Sequence, residues 1–164
     1  MAGRLDGRVA IITGGGHGIG RAYAHGMARE GARVLVAEIN AKAGDVVAAE
    51  LKTLGHDAVA VGTDVADGAS CRAMAQRAVD TWGKIDILVT NAAMFASIPM
   101  SRAPFDRMPI EEWDRMMAVN LRGTWLASRA CNEHMKQRGY GKIITISSGT
   151  ALKGSAGRIH YVTS

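Results

Sequence analysis

Proline is nearly absent from this chain of 164 residues: there are three, Pro99, Pro104 and Pro109, all in one stretch. Proline removes a backbone donor and interrupts helices and inner strands, so the rest of the chain is open to regular structure. Cysteine is as scarce. Cys71 and Cys131 have no Cys or His partner at metal-ligand spacing and fall in helix-like stretches; reduced, buried thiols are expected, with neither a disulfide nor a metal site. No apolar run is long enough to span a bilayer, and the start Met-Ala-Gly-Arg-Leu-Asp-Gly-Arg is not a signal peptide. A cytoplasmic protein without a membrane partner is expected. There is also no run of Lys or Arg and no aromatic interleaving. The net charge of +5, from 20 basic and 15 acidic residues, is scattered singly, which speaks against a nucleic-acid partner.

What is present is ordinary in bulk and distinctive in order. An apolar fraction of 48% with 21% charged residues suits one globular domain, and a chain near this length buries roughly 70% of its unfolded surface. The stretch that organises it begins at Val9–Ile12, a short apolar run of the kind that forms a fully buried strand. It leads into Thr13-Gly14-Gly15-Gly16-His17-Gly18-Ile19-Gly20 and then a helix-like stretch ending near Gly31. Gly14, Gly18 and Gly20 lack a Cβ, so the turn can be tight and its N–H groups can approach an anion. A second apolar run, Val34–Ala37, ends in Glu38. A carboxylate about 20 residues past the glycines suits the hydroxyls of an adenosine ribose. The unit reads as a dinucleotide-binding βαβ. Because Glu38 would repel a 2′-phosphate, NAD is expected over NADP, with Arg33 and His17 as the residues that could soften the preference.

The pattern then repeats. A helix over Ala41–Leu54, a strand over Ala58–Val61, a helix capped by Asp67 with the stripe Cys71, Met74, Ala75, Ala78, Val79 and Trp82, and a strand over Ile85–Val89 follow in order. Single helices alternating with buried strands predict a parallel, doubly wound sheet with helices on both faces and right-handed connections. The fourth strand ends in Thr90-Asn91-Ala92-Ala93, and ligands of such sheets bind at carboxyl strand ends. The proline-bearing segment comes next; loops of that length are functional rims or simple connections. Pro109 opens a long helix with Glu111 and Glu112 in its first turn, where the helix dipole favours acids. Trp113, Met116, Met117, Leu121, Thr124 and Ser128 are expected on one face, together with Asn120. A buried amide must be hydrogen-bonded or it costs about 1–3 kcal/mol, so Asn120 reads either as a structural amide or as a site residue. A fifth strand, Lys142–Ile146, ends in Ser147-Ser148-Gly149, and the chain closes on Arg158-Ile159-His160-Tyr161-Val162-Thr163-Ser164.

Four of these patterns together resemble the short-chain dehydrogenase/reductase family: Thr13-Gly14 with Gly18-Ile19-Gly20, Asn91-Ala92-Ala93, Val119-Asn120, and Ser148 thirteen residues before Tyr161. The resemblance covers the whole chain. It implies a Rossmann-like fold and interconversion of a secondary alcohol and a ketone with NAD(P). It places Thr13, Gly14, Ile19 and Gly20, with His17 and Gly18 in the same turn, at the cofactor phosphates. Asp64 and Val65 would hold the adenine edge, and Asn91, Ala92 and Ala93 would lie along the middle of the cofactor. Family members usually carry glycine where Ala93 stands. Ser148 would hold the substrate oxygen, Tyr161 would be the general acid/base, and Asn120 would support a water relay. Ser97, Ile98, Met100 and Phe105 are candidate substrate contacts. The family's lysine would fall one position past Ser164, and its last strands, lid and usual tetramer contacts beyond that, so the chain is expected to be a C-terminally incomplete dinucleotide-binding domain spanning residues 1–164. The lysine's charge favours the phenolate of a tyrosine whose ordinary pKa is about 10. Without it the alternative is an inactive nucleotide-binding or interaction fragment. A homotetramer acting on a small alcohol or ketone is the expectation for a full-length form.

Overall fold

A computed structural model describes residues 3–95 and 99–164. Five strands, β1 (Val9–Thr13), β2 (Arg33–Glu38), β3 (Ala58–Gly62), β4 (Ile87–Thr90) and β5 (Lys142–Thr145), form one parallel sheet in the order β3-β2-β1-β4-β5. The order reverses direction between β1 and β4, so a crevice opens at the carboxyl ends of these two strands, the usual ligand position of an open α/β sheet.

Alternation along the strands builds two cores. Val9 and Ile11 of β1 and Leu35 and Ala37 of β2 face one side, where they pack with Cys71, Met74 and Ala78 of helix α3 (Gly68–Trp82) and with Ala127 and Cys131 of helix α5 (Gly123–Gln137). Ala10, Ile12, Val34 and Val36 face the other, against Ala24 and Ala28 of α1 (Gly18–Arg29) and Val47 and Leu51 of α2 (Ala41–Thr53). The expected Rossmann-like sheet with helices on both faces is therefore present. The caps follow the sequence: Asp67 accepts the N–H groups of Ala69 and Ser70, and Gly83 ends α3 with a left-handed φ of 73°.

Two local expectations are corrected. The fourth strand begins at Ile87 rather than Ile85, because Asp86 at its foot turns its side chain onto the Val9 N–H (2.9 Å), with Lys84 Nζ at 2.9 Å and Arg8 at 3.3 Å. The long helix is also not uniform. It consists of α4 (Ile110–Met116), a π-helical turn (Met117–Arg122) and α5, in continuous succession. A π turn inserts a residue into the helical repeat and rotates everything after it. Leu121, expected on the buried stripe, is 58% exposed, and the buried face passes to Gly123, Ala127, Ala130, Cys131 and Met135. Two short helices, α6 (Thr150–Lys153) and α7 (Ile159–Thr163), close the described chain. No helix among the described residues is long and apolar enough to cross a membrane.

Candidate active site

The glycine turn is built by close packing of its own backbone. Gly20 lies in the first turn of α1, and a Cβ there would run into the Gly14 carbonyl and come within 2.6 Å of Asn91 Nδ2. Gly14 and Gly18 take positive φ angles of 63° and 53°. No side chain caps α1, since His17 makes no such bond. The first-turn N–H groups of a helix have no partner within it, so this helix end presents donors and the positive end of its dipole to the crevice. Ile19, the residue between Gly18 and Gly20, is exposed.

Thr13 holds this turn to β4. Its buried hydroxyl donates to the Val89 carbonyl (3.3 Å) and accepts the N–H groups of both Asn91 and Ala92 (3.1 Å each). The Asn91 side-chain amide returns the tie by donating to the carbonyls of Thr13 (3.0 Å) and Gly14 (3.1 Å). Asn91 thus has its side chain spent on the turn. Ala93, one residue beyond Ala92, is exposed at the mouth of the crevice.

Glu38 sits where β2 ends, as expected, and does something the sequence does not disclose. It is only 2% exposed. Its Oε2 accepts the Gly16 N–H at 3.0 Å and its Oε1 accepts the Asn40 N–H at 3.2 Å, so the carboxylate braces the glycine turn from below. His17 Nδ1 lies 3.7 Å from the same Oε2. Asp64 is exposed at the end of β3, accepting the Ala66 N–H (2.9 Å), while Val65 is buried beneath Gly123 of α5.

Asn120, Ser148 and Tyr161 come together around one cleft of about 120 Å³ at the ends of β4 and β5, with Thr90, Asn91 and Ser164 also in its wall. The π turn presents Asn120 there. Asn120 Oδ1 accepts the Met94 N–H (2.8 Å) and its Nδ2 donates to Ser164 Oγ (2.9 Å), so the amide joins the segment after β4 to the end of α7. Ser148 Oγ accepts the Thr150 N–H (3.2 Å) and lies 3.0 Å from Thr150 Oγ1. The Tyr161 ring stacks on Phe95 with centroids 4.7 Å apart, and the Arg158 guanidinium lies 5.5 Å from the Phe95 ring centre. Of the candidate substrate contacts, Phe105 is exposed and Met100 half-buried; Ser97 and Ile98 lie outside the described residues. Cys71 and Cys131 are free and buried, away from this cleft in the α3–α5 core.

A glycine turn with free helix donors beside a carboxyl-end crevice is the architecture of a Rossmann-like α/β protein, and the donor set fits a diphosphate. Residues 8–164 match the short chain dehydrogenase family, and the chain belongs to that family. It is similar to the sorbitol dehydrogenase of Cereibacter sphaeroides, with 43% identity over 154 residues, 93% of this chain and 57% of that protein. It is similar also to the D-threitol dehydrogenase of Mycolicibacterium smegmatis, with 36% identity over 98% of this chain and 60% of that one. Among solved structures, a 7α-hydroxysteroid dehydrogenase complexed with NADH and 7-oxo glycochenodeoxycholic acid superposes with a TM-score of 0.88 at 37% identity, covering 98% of this chain and 60% of that one. The chain thus spans less than two thirds of the length of these relatives.

Three contributors escaped the sequence reading: the bracing role of Glu38, the Phe95 ring under Tyr161, and Ser164 as a partner of Asn120. None carries a motif. The one available signal was position, since each adjoins or faces a residue that does.

Proposed function

We propose that this chain forms the cofactor-binding part, and one wall of the active site, of an oxidoreductase that interconverts a secondary alcohol and a ketone with NAD. The carrying observation is the convergence of Asn120, Ser148 and Tyr161 on one cleft that also contains Asn91, the residue tied to the glycine turn. In this reading the backbone donors at the start of α1 hold the cofactor's diphosphate, and the crevice between β1 and β4 directs its reactive end toward the cleft. The bound nicotinamide supplies the hydride chemistry. Ser148 Oγ holds the substrate oxygen, and Tyr161 takes up the proton on that oxygen as its phenolate or returns it as its hydroxyl. A free tyrosine has a pKa of about 10, so a nearby positive charge is required to make the phenolate accessible near neutral pH. Asn120 fixes the end of α7 and with it the station of Tyr161. Glu38 supports NAD over NADP because its negative charge lies under the turn where a 2′-phosphate would approach; His17, within 3.7 Å of it, moderates that repulsion when protonated. The whole protein is read as a cytoplasmic homotetramer acting on a small alcohol or ketone.

The test is calorimetric titration of the full-length natural protein with NAD+, NADH and NADP+, paired with an assay of NAD+ reduction on an alcohol panel that includes D-sorbitol and D-threitol. Tight NAD+ binding, weaker NADP+ binding, and loss of turnover on the order of 100-fold or more in Tyr161→Phe are expected. A folded protein that takes up no nicotinamide cofactor would refute the proposal.

A further inference from the structure

His160 immediately precedes Tyr161 and is fully buried, with 0% exposure. Buried histidines ordinarily satisfy their ring nitrogens with hydrogen bonds. Here Nδ1 has no hydrogen-bond partner among the described residues, and Nε2 meets only the Glu112 carboxylate, at 3.0 Å to Oε1. The 3.0 Å contact sets the His160 ring directly against the Glu112 carboxylate. The same Glu112 Oε1 accepts the Ser101 N–H at 2.7 Å. One oxygen on the first turn of α4 therefore engages two segments at once: the proline-bearing stretch through Ser101, and α7, which carries Tyr161, through His160. No side chain caps the start of α7. Burial raises the Glu112 carboxyl, and its contacts with Ser101 and His160 outweigh that effect, holding it below the usual carboxylate range.

We propose that Glu112 and His160 are positioning residues for Tyr161, a carboxylate set against a buried imidazole, which fix the Tyr161 helix and lock it to the segment around Ser101. The functional meaning rests on Tyr161 being the acid/base of the proposed reaction; the structural coupling does not. Its consequence is that the segment around Ser101 and the hydroxyl at the reacting centre are held by the same carboxylate. Whatever displaces one displaces the other.

The test uses the full-length protein labelled with carbon-13 at the tyrosine rings. The described chain has three tyrosines, so Tyr23 and Tyr140 serve as internal references for Tyr161, whose signal carries the ring-current shift of the stacked Phe95. Amide exchange at Ser101 and across residues 159–163 is followed in parallel. In Glu112→Gln the amide oxygen still accepts from Ser101 but the charge is gone. The expected result is a Tyr161 signal moved toward that of an unstacked ring and at least tenfold faster exchange in 159–163, with Ser101 near wild type. Glu112→Ala should free both segments, and Glu112→Asp should restore the Tyr161 signal in part. His160→Gln provides a second route to the same Tyr161 shift if a Glu112 variant folds poorly. A Tyr161 signal unmoved in Glu112→Gln and His160→Gln, with the references also unmoved, overturns the proposal. If the shift appears but Tyr161→Phe retains full turnover, the coupling stands and the acid/base reading of Tyr161 fails, and with it the positioning role.

Discussion

Glu38 and Gly16 occupy the same space to within a methyl group: Oε2 accepts the Gly16 N–H at 3.0 Å, and a Cβ on Gly16 would lie 2.7 Å from Glu38 Cγ. The carboxylate can brace the turn only because residue 16 has no side chain. The side chain proposed to recognise a ribose is thus also part of the floor on which the glycine turn rests.

Gly16→Ala is accordingly expected to push the Glu38 side chain off its two backbone donors. Overpacking of this kind costs typically 1–3 kcal/mol. Thermal unfolding should show the loss of stability, and titration with NAD+ should show weaker binding in the same variant.

The Thr13 hydroxyl serves three backbone groups, so Thr13→Val, which keeps the shape, leaves the Asn91 and Ala92 N–H groups without an acceptor. The expected cost is about 1–3 kcal/mol, read from denaturant unfolding. Thr13→Ser should recover most of it. A valine variant as stable as wild type would mean that the hydroxyl does not hold the turn to β4.

Asp86 gives stability a dependence on acid. Burial raises its carboxyl, but Lys84, the Val9 N–H and Arg8 more than offset that and hold it below the ordinary aspartate value. A carboxyl depressed in the folded state contributes stability that is present above the unfolded pKa of about 4 and lost as pH falls through the folded value. Unfolding free energy measured from pH 6 downward should therefore decline below about pH 4. Asp86→Asn should start lower near neutrality and flatten part of that decline.

The two thiols should be silent in the native protein. Burial pushes Cys71 up to about 11 and Cys131 up to about 12, and the thiolate is the reactive form. A thiol reagent at pH 8 is expected to titrate neither until denaturant is added, when both react.

Asn120→Ala removes both the acceptor for the Met94 N–H and the donor to Ser164 Oγ. Hydrogen exchange at Met94 and in the last residues of α7 should accelerate together, with α1 and α2 unchanged. Acceleration at Met94 alone would mean that the amide does not reach across the cleft.

β1, β2 and β4 were legible because their residues are buried on both faces and leave uninterrupted apolar runs, Val34–Ala37 most plainly; β5 is exposed along its length and was legible from its apolar run alone. The glycine turn was legible from spacing and the trio Asn120, Ser148 and Tyr161 from the family resemblance, and the structure gathers the trio into one cleft. The π turn was not, since an extra residue in a helix has no composition of its own and shows only when Leu121 emerges on the exposed side. Nor was the work of Glu38 and Glu112. Their partners include the main-chain N–H groups of Gly16, Asn40 and Ser101, donors that every residue but proline offers and that no pattern marks.

The bond between Thr13 and Asn91 joins positions 78 apart in the chain. Synthesis through β2 therefore yields the entire glycine signature and its acid without the partner that fixes their shape. The shape of the glycine turn depends on β4 docking beside β1, which closes a long loop whose entropy must be met before its contacts form. In the proposed function, cofactor affinity is then a gauge of long-range assembly rather than of a local motif, and a ligand that selects the finished turn pulls the folding equilibrium of the two inner strands along with it.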